Sequence, residues 1–172
     1  MGEHRAGGNK GGHGVVGWPS AFGALTRELR TGRGRPAFVD SSDPDVDLLV
    51  GRLASVVDRV ASLGERIGQM DQTATVDDLL SDLSGSSTLL MAIDVLFAPA
   101  LHLEVISQLR RVAQSTAPIV VWPGRIHGGR VTYSLPGRAD HVDEPARDLV
   151  VLRPVDAEFP DEVPYTVERY PA

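Results

Sequence analysis

Thr88-Leu89-Leu90-Met91-Ala92-Ile93-Asp94-Val95-Leu96-Phe97 carries a single charged residue. A segment apolar on both alternating faces is buried on both, as a central strand of a parallel sheet is. Reading outward from it, Leu103, Val105, Ile106, Leu109 and Val112 recur at helical spacing, and Ala117 to Trp122 forms a second apolar strand closed by Pro123-Gly124. On the amino side, Pro36-Ala37-Phe38-Val39-Asp40 is a compact strand ending in a carboxylate, followed by Asp43-Pro44 as cap and first helical position. Val46, Leu49, Leu53, Val56, Val57, Val60 and Leu63 predict one helix over 46–63, broken at Gly64 and Gly68. Thr75 and Asp78 then cap a short helix that stops at Ser84-Gly85. Strand and helix alternate three times, which predicts an α/β layered domain with a mostly parallel sheet. Arg130–Leu135 and Asp148–Leu152 read as antiparallel edge strands. The expected organisation is a disordered glycine-rich tail at 1–13, the domain at 14–153 and an acidic, proline-rich extended tail at 154–172.

Composition narrows the chemistry. A chain of 172 residues is long enough for one domain with a core. Its net charge of −6 argues against broad electrostatic binding to nucleic acid. With no cysteine, thiol catalysis and thiolate metal sites are excluded, and the five histidines lack H-x-x-x-H spacing. No G-x-S-x-G elbow occurs, so no catalytic residue and no metal site is assigned. The first fourteen residues have no apolar h-region, and no uncharged apolar run approaches a membrane span, so a cytoplasmic protein without membrane contact is expected.

Two stretches bear on nucleotide chemistry. Val15-Val16-Gly17-Trp18-Pro19-Ser20-Ala21-Phe22-Gly23-Ala24-Leu25 is laid out like a phosphate loop followed by a helix from Ser20, yet the positions of the final G-K-[ST] hold Phe22, Gly23 and Ala24. Lys10, the sole lysine, lies outside the loop. Asp94 ends an apolar run as a magnesium-ordering Asp does, but Val95 follows, so no base accompanies it. Gly17, Ser20, Gly23 and Asp94 thus outline a degenerate nucleotide site that would hold ATP weakly, if at all, through backbone N–H groups. A second candidate is an anion or nucleic-acid patch of Arg110, Arg111, Arg125, Arg130 and Arg138. The plainer reading pairs those arginines with Asp140, Asp143, Glu144 and Asp148.

The succession LLMAIDVLFAPAL, IVVWPGR, RVTYSLPGRADH and DLVVL resembles the small P-loop protein of BREX-type phage-defence systems across about residues 14–152. Leu96-Phe97-x-Pro99-x-Leu101, Trp122-Pro123-Gly124 and Thr132-Tyr133-Ser134-x-Pro136-Gly137 carry the resemblance most specifically, whereas the loop at Gly17 matches in position alone. The resemblance implies a P-loop-NTPase-like fold, ATP binding, and an accessory role beside a DNA methyltransferase, a large ATPase and a phosphatase-like protein. Aligned on Leu96-Phe97, the family's strand Asp falls at Met91, so Lys, Ser/Thr and Asp are missing together. The expectation is therefore a non-catalytic accessory subunit, with a weak nucleotide- or DNA-binding regulator as the alternative.

Overall fold

Alternating apolar side chains on four short parallel strands build the centre of the molecule. The computed structural model describes residues 17–32, 35–69, 76–83, 87–159 and 161–172. In chain order these form α1 (Trp18–Thr31), β1 (Ala37–Asp40), α2 (Val46–Ala54), β2 (Arg59–Ser62), α3 (Leu63–Gln69), α4 (Val76–Ser81) and β3 (Ser87–Met91). Two 3-10 turns (Ile93–Phe97, Pro99–Leu101) follow, then α5 (Val105–Val112), β4 (Ala117–Trp122), β5 (Arg125–His127), β6 (Arg130–Tyr133), β7 (Val142–Pro145), β8 (Val150–Pro154) and β9 (Tyr165–Arg169). The main sheet runs β2-β3-β4-β1-β8-β9, parallel except for β9, and β5-β6-β7 make a small antiparallel sheet.

Strand periodicity sorts the core into two faces. Ala37, Val39, Leu89, Ile119, Val150 and Leu152 pack with Trp18, Phe22, Leu25 and Leu29 of α1 and Leu49 and Leu53 of α2. Phe38, Leu90, Val120, Trp122 and Val151 pack with Leu80 of α4, Leu109 of α5, and Ile126 and Val131 of the small sheet. The result is a three-layered α/β domain. Among the described residues no helix is long and apolar enough to cross a membrane.

Several boundaries differ from expectation for identifiable reasons. The periodic stretch 46–63 is not one helix: α2 ends at Ala54, a turn follows, and Arg59–Ser62 joins the sheet beside β3. The β-branched Val56, Val57 and Val60 fit a turn and strand better than a helix, and their three- and four-residue spacing mimicked one. The apolar run from Thr88 stops being a strand at Met91, because Ala92 takes φ +50° and the chain coils into a 3-10 turn burying Ile93, Leu96 and Phe97. β8 is not an edge strand but lies parallel to β1 inside the sheet. The antiparallel edge is β9, inside the stretch expected to be a tail beyond the domain, so the sheet extends through residue 169. Trp18 N donates to the Asp161 carbonyl (2.8 Å), and Arg169 grips Glu28 of α1 through two hydrogen bonds (2.7 and 2.8 Å). The tail at 1–13, Val15 and Val16 ahead of Gly17, and the caps at Thr75 and Ser84-Gly85 lie outside the described residues.

Candidate functional site at the carboxyl ends of the central strands

A phosphate loop needs a strand, a loop with free backbone N–H groups and a helix, in that order. The described chain has this unit at β1, Ser41–Asp45 and α2. It also stands where the strand order reverses: the chain leaves β1 over one face through α2 and leaves its neighbour β4 toward the small sheet on the other. Open α/β sheets bind ligands at such points.

Here the loop's donors are turned inward. Ser41 N donates to the Trp122 carbonyl (3.1 Å), Ser42 N to Asp40 Oδ1 (2.9 Å) and Asp43 N to the Asp40 carbonyl (3.2 Å). Pro44 has no N–H, Asp45 N bonds Asp43 Oδ1 (3.3 Å) and Val46 N bonds the Asp43 carbonyl (3.2 Å). No glycine is present from Asp40 to Asp47, whereas four acidic residues are: Asp40, Asp43, Asp45 and Asp47. Phosphate would meet repulsion and no free amide over Ser41–Val46.

Asp40 closes the place from within. Its residue is 4% exposed, and it also accepts from Ser42 Oγ (2.6 Å), Ile126 N (2.8 Å) and Arg153 Nη1 (3.2 Å). Burial pushes the Asp40 carboxyl up, but the bonds from Ser42, Ile126 and Arg153 outweigh it and hold the group below its ordinary value. Arg153 also donates to the Ile126 carbonyl and to Glu168 Oε2 (3.3 Å), which ties β8 to β5 and β9. Burial acts to lower the guanidinium's pKa, and Glu168 and Asp40 together raise it. Above this lock is a cleft of about 860 Å³, walled by Asp40, Ser42 and Asp43 on one side and by Arg125, His127 and Arg130 on the other.

The sequence-derived candidates are distributed differently. Ser20 and Gly23 lie within α1, whose first turn is closed by Ser20 N and Ala21 N donating to the Gly17 carbonyl (both 3.1 Å). A Cβ at Gly17 or Gly23 would meet nothing within 4 Å, so neither position requires glycine. Asp94 sits exposed in the 3-10 turn after β3, where its charge raises the pKa of Tyr133 after the larger effects of burial and Asp140. It does not line the cleft. Of the five arginines, Arg125 and Arg130 share the cleft, while Arg110, Arg111 and Arg138 do not line it. Arg130 pairs with Asp143 (2.6 Å), Arg138 with Asp140 (3.1 Å), and Arg110 donates to the Arg147 carbonyl (2.6 Å). Among the described residues no group of three or more His, Asp or Glu side chains is arranged to hold a metal ion. Sequence assigned Ser42 and Arg153 no role and marked Asp40 only as a strand-ending carboxylate, which was the signal: it stands at the end of the AFVD strand, directly before a helix start.

Trp122 is fully buried, stacked on Phe38 (5.2 Å between centroids, 10°) and edge-on to Phe97 (5.3 Å, 86°). Tyr133 stacks on Phe97 (4.0 Å), and Trp122 Nε1 donates to the Thr132 carbonyl (2.8 Å). Gly124 permits that approach, since a Cβ there would fall 1.9 Å from the Thr132 carbonyl oxygen. Comparison with protein-family models, with curated proteins and with solved structures returned no match.

Proposed function

We propose that the chain is a P-loop-like α/β module whose nucleotide site is closed by its own side chains, and that it acts as a non-catalytic accessory subunit of a larger assembly of the BREX-type phage-defence kind. The carrying observation is the inward commitment of the Ser41–Val46 amides, sealed by buried Asp40 and its partly exposed partner Arg153. Phosphoryl transfer needs cations and oriented donors around the moving phosphate, and this loop offers carboxylates instead. The three segments that carry the family resemblance support the second half of the reading, because Phe97, Trp122 and Tyr133 meet in one aromatic cluster rather than scattering. Partners of such a subunit would be the assembly's methyltransferase, large ATPase and phosphatase-like protein, with DNA reached through the complex. The test is stoichiometric co-purification with those proteins from the native host; recovery of the chain alone would remove the accessory role.

The alternative, a weak nucleotide- or DNA-binding regulator, has Arg125 in its favour. That exposed cation has no ion-pair partner among the described residues and shares one face of the small sheet with Arg130. Asp40, Asp43, Asp143 and Glu168 line the same cleft and oppose it. This reading predicts salt-sensitive DNA retention that Arg125→Ala with Arg130→Ala abolishes.

A further inference from the structure

A second concavity, distinct from the cleft over Asp40, lies between the turn-and-helix segment 96–106 and the segment 139–144 that leads into and includes most of β7. Its volume is about 640 Å³. The apolar side chains lining it include Phe97, Val105 and Ile106, held in place by the core behind them. Glu104, Asp140, Asp143 and Glu144 line it too, and no Arg or Lys does. Arg138 and Arg130 compensate Asp140 and Asp143. The side-chain carboxylates of Glu104 and Glu144 have no ion-pair or hydrogen-bond partner among the described residues, which leaves two uncompensated carboxylates beside an apolar wall.

An independent observation concerns the backbone. β7 pairs with β6 along one side, and no described strand pairs with its other side. An open strand edge beside an apolar concavity is the geometry for strand addition, in which main-chain bonds supply affinity and pockets for alternate side chains supply specificity. Pro145 limits the addition to the stretch up to Glu144, since it has no N–H to donate.

We propose that this groove binds an extended peptide segment of a partner protein, added as a strand to the open edge of β7, whose groove-facing side chains, every second residue, include both apolar residues and Arg or Lys. On that face the apolar residues meet Phe97 and Val105, and the cations meet Glu104 and Glu144, the latter on the same face of β7 as Val142. This deepens the accessory-subunit reading by naming the chemistry of its partner, and it does not depend on the state of the nucleotide site.

The test uses the full chain and fluorescein-labelled peptides of about six residues, slightly longer than β7 at ~3.3 Å per residue. One carries Arg and Leu in turn at every second position with Ser between, one carries Glu and Leu in the same way, and one is the Arg–Leu peptide N-methylated at alternate amides. Saturable binding of the Arg–Leu peptide alone is expected, weakened by about tenfold or more in Glu104→Gln with Glu144→Gln. The acidic control Asp156→Asn with Glu158→Gln should leave it unchanged. Thermal unfolding of each variant confirms folding, and amide exchange should show new protection over 142–144. Equal loss in the control, equal binding of the N-methylated peptide, or no binding would overturn the proposal. Absent peptide binding together with intact co-purification would refute this groove and leave the accessory role standing.

Discussion

Removing the Asp40 carboxylate leaves the Ser42 amide and hydroxyl and the Ile126 amide without their acceptor at one stroke, and takes one of three acceptors from Arg153. Asp40→Ala is therefore expected to destabilise the fold by about 2–3 kcal/mol, mainly by leaving the buried Ile126 amide and the Ser42 donors unsatisfied. Denaturant melts would check this, and a loss no larger than that of a surface Asp would show that the lock is decorative. Gly124→Ala is a steric counterpart. Its methyl would meet the Thr132 carbonyl backbone, so the turn must move, at a cost of about 3 kcal/mol and with the Trp122–Thr132 bond broken. Trp122 fluorescence should report the change. At this scale the sequence was partly readable: the strand-end carboxylate and the WPG turn stood out, but two of Asp40's three partners are 86 and 113 residues away. Only the fold brings Ile126 and Arg153 to it. The Gly17 loop drew attention because its spacing imitates a phosphate loop, while Pro19 and the apolar Trp18, Phe22 and Leu25 make it the first two turns of a packed helix.

Elements legible from composition were those with a single strong signal, such as β1, β4 and α5, whose expected and observed ranges nearly coincide. β9 escaped because Tyr-Thr-Val-Glu-Arg sits among prolines and acids, although its side chains do alternate, with Tyr165 buried and Thr166 and Glu168 exposed. Edge strands carry such charges to prevent pairing with other chains. This strand holds its place mainly by burial. Tyr165→Ala, which empties a site against Trp18 (5.7 Å between rings), should cost about 3 kcal/mol. Glu28→Ala, which removes the partly exposed pair with Arg169, should cost less than about 1 kcal/mol. Comparable losses in the two variants would mean that the ion pair, and not the aromatic contact, secures β9.

For the whole molecule, titration limits stability at both ends of the pH scale. Asp40, Asp58 and Glu28 all lie below their ordinary values in the folded state, because hydrogen bonds and cations outweigh or accompany burial. Their contribution is complete above the unfolded values of 3.8 and 4.5 and disappears as pH falls through the lower folded values. At the basic end, burial raises Tyr165 from 10.0 to about 12, so the folded state keeps its proton longer than the unfolded one. Stability from that group is present below pH 10.0 and is lost as pH climbs toward about 12. Unfolding midpoints across pH should show this plateau, and ultraviolet titration of the folded chain should show phenolate forming later than in the denatured chain. The central claim is that the switch-point site is occupied by the protein's own groups. Calorimetric titration of the purified chain with magnesium-ATP tests it most directly: no heat of binding is predicted up to millimolar nucleotide, and saturable stoichiometric binding would contradict it.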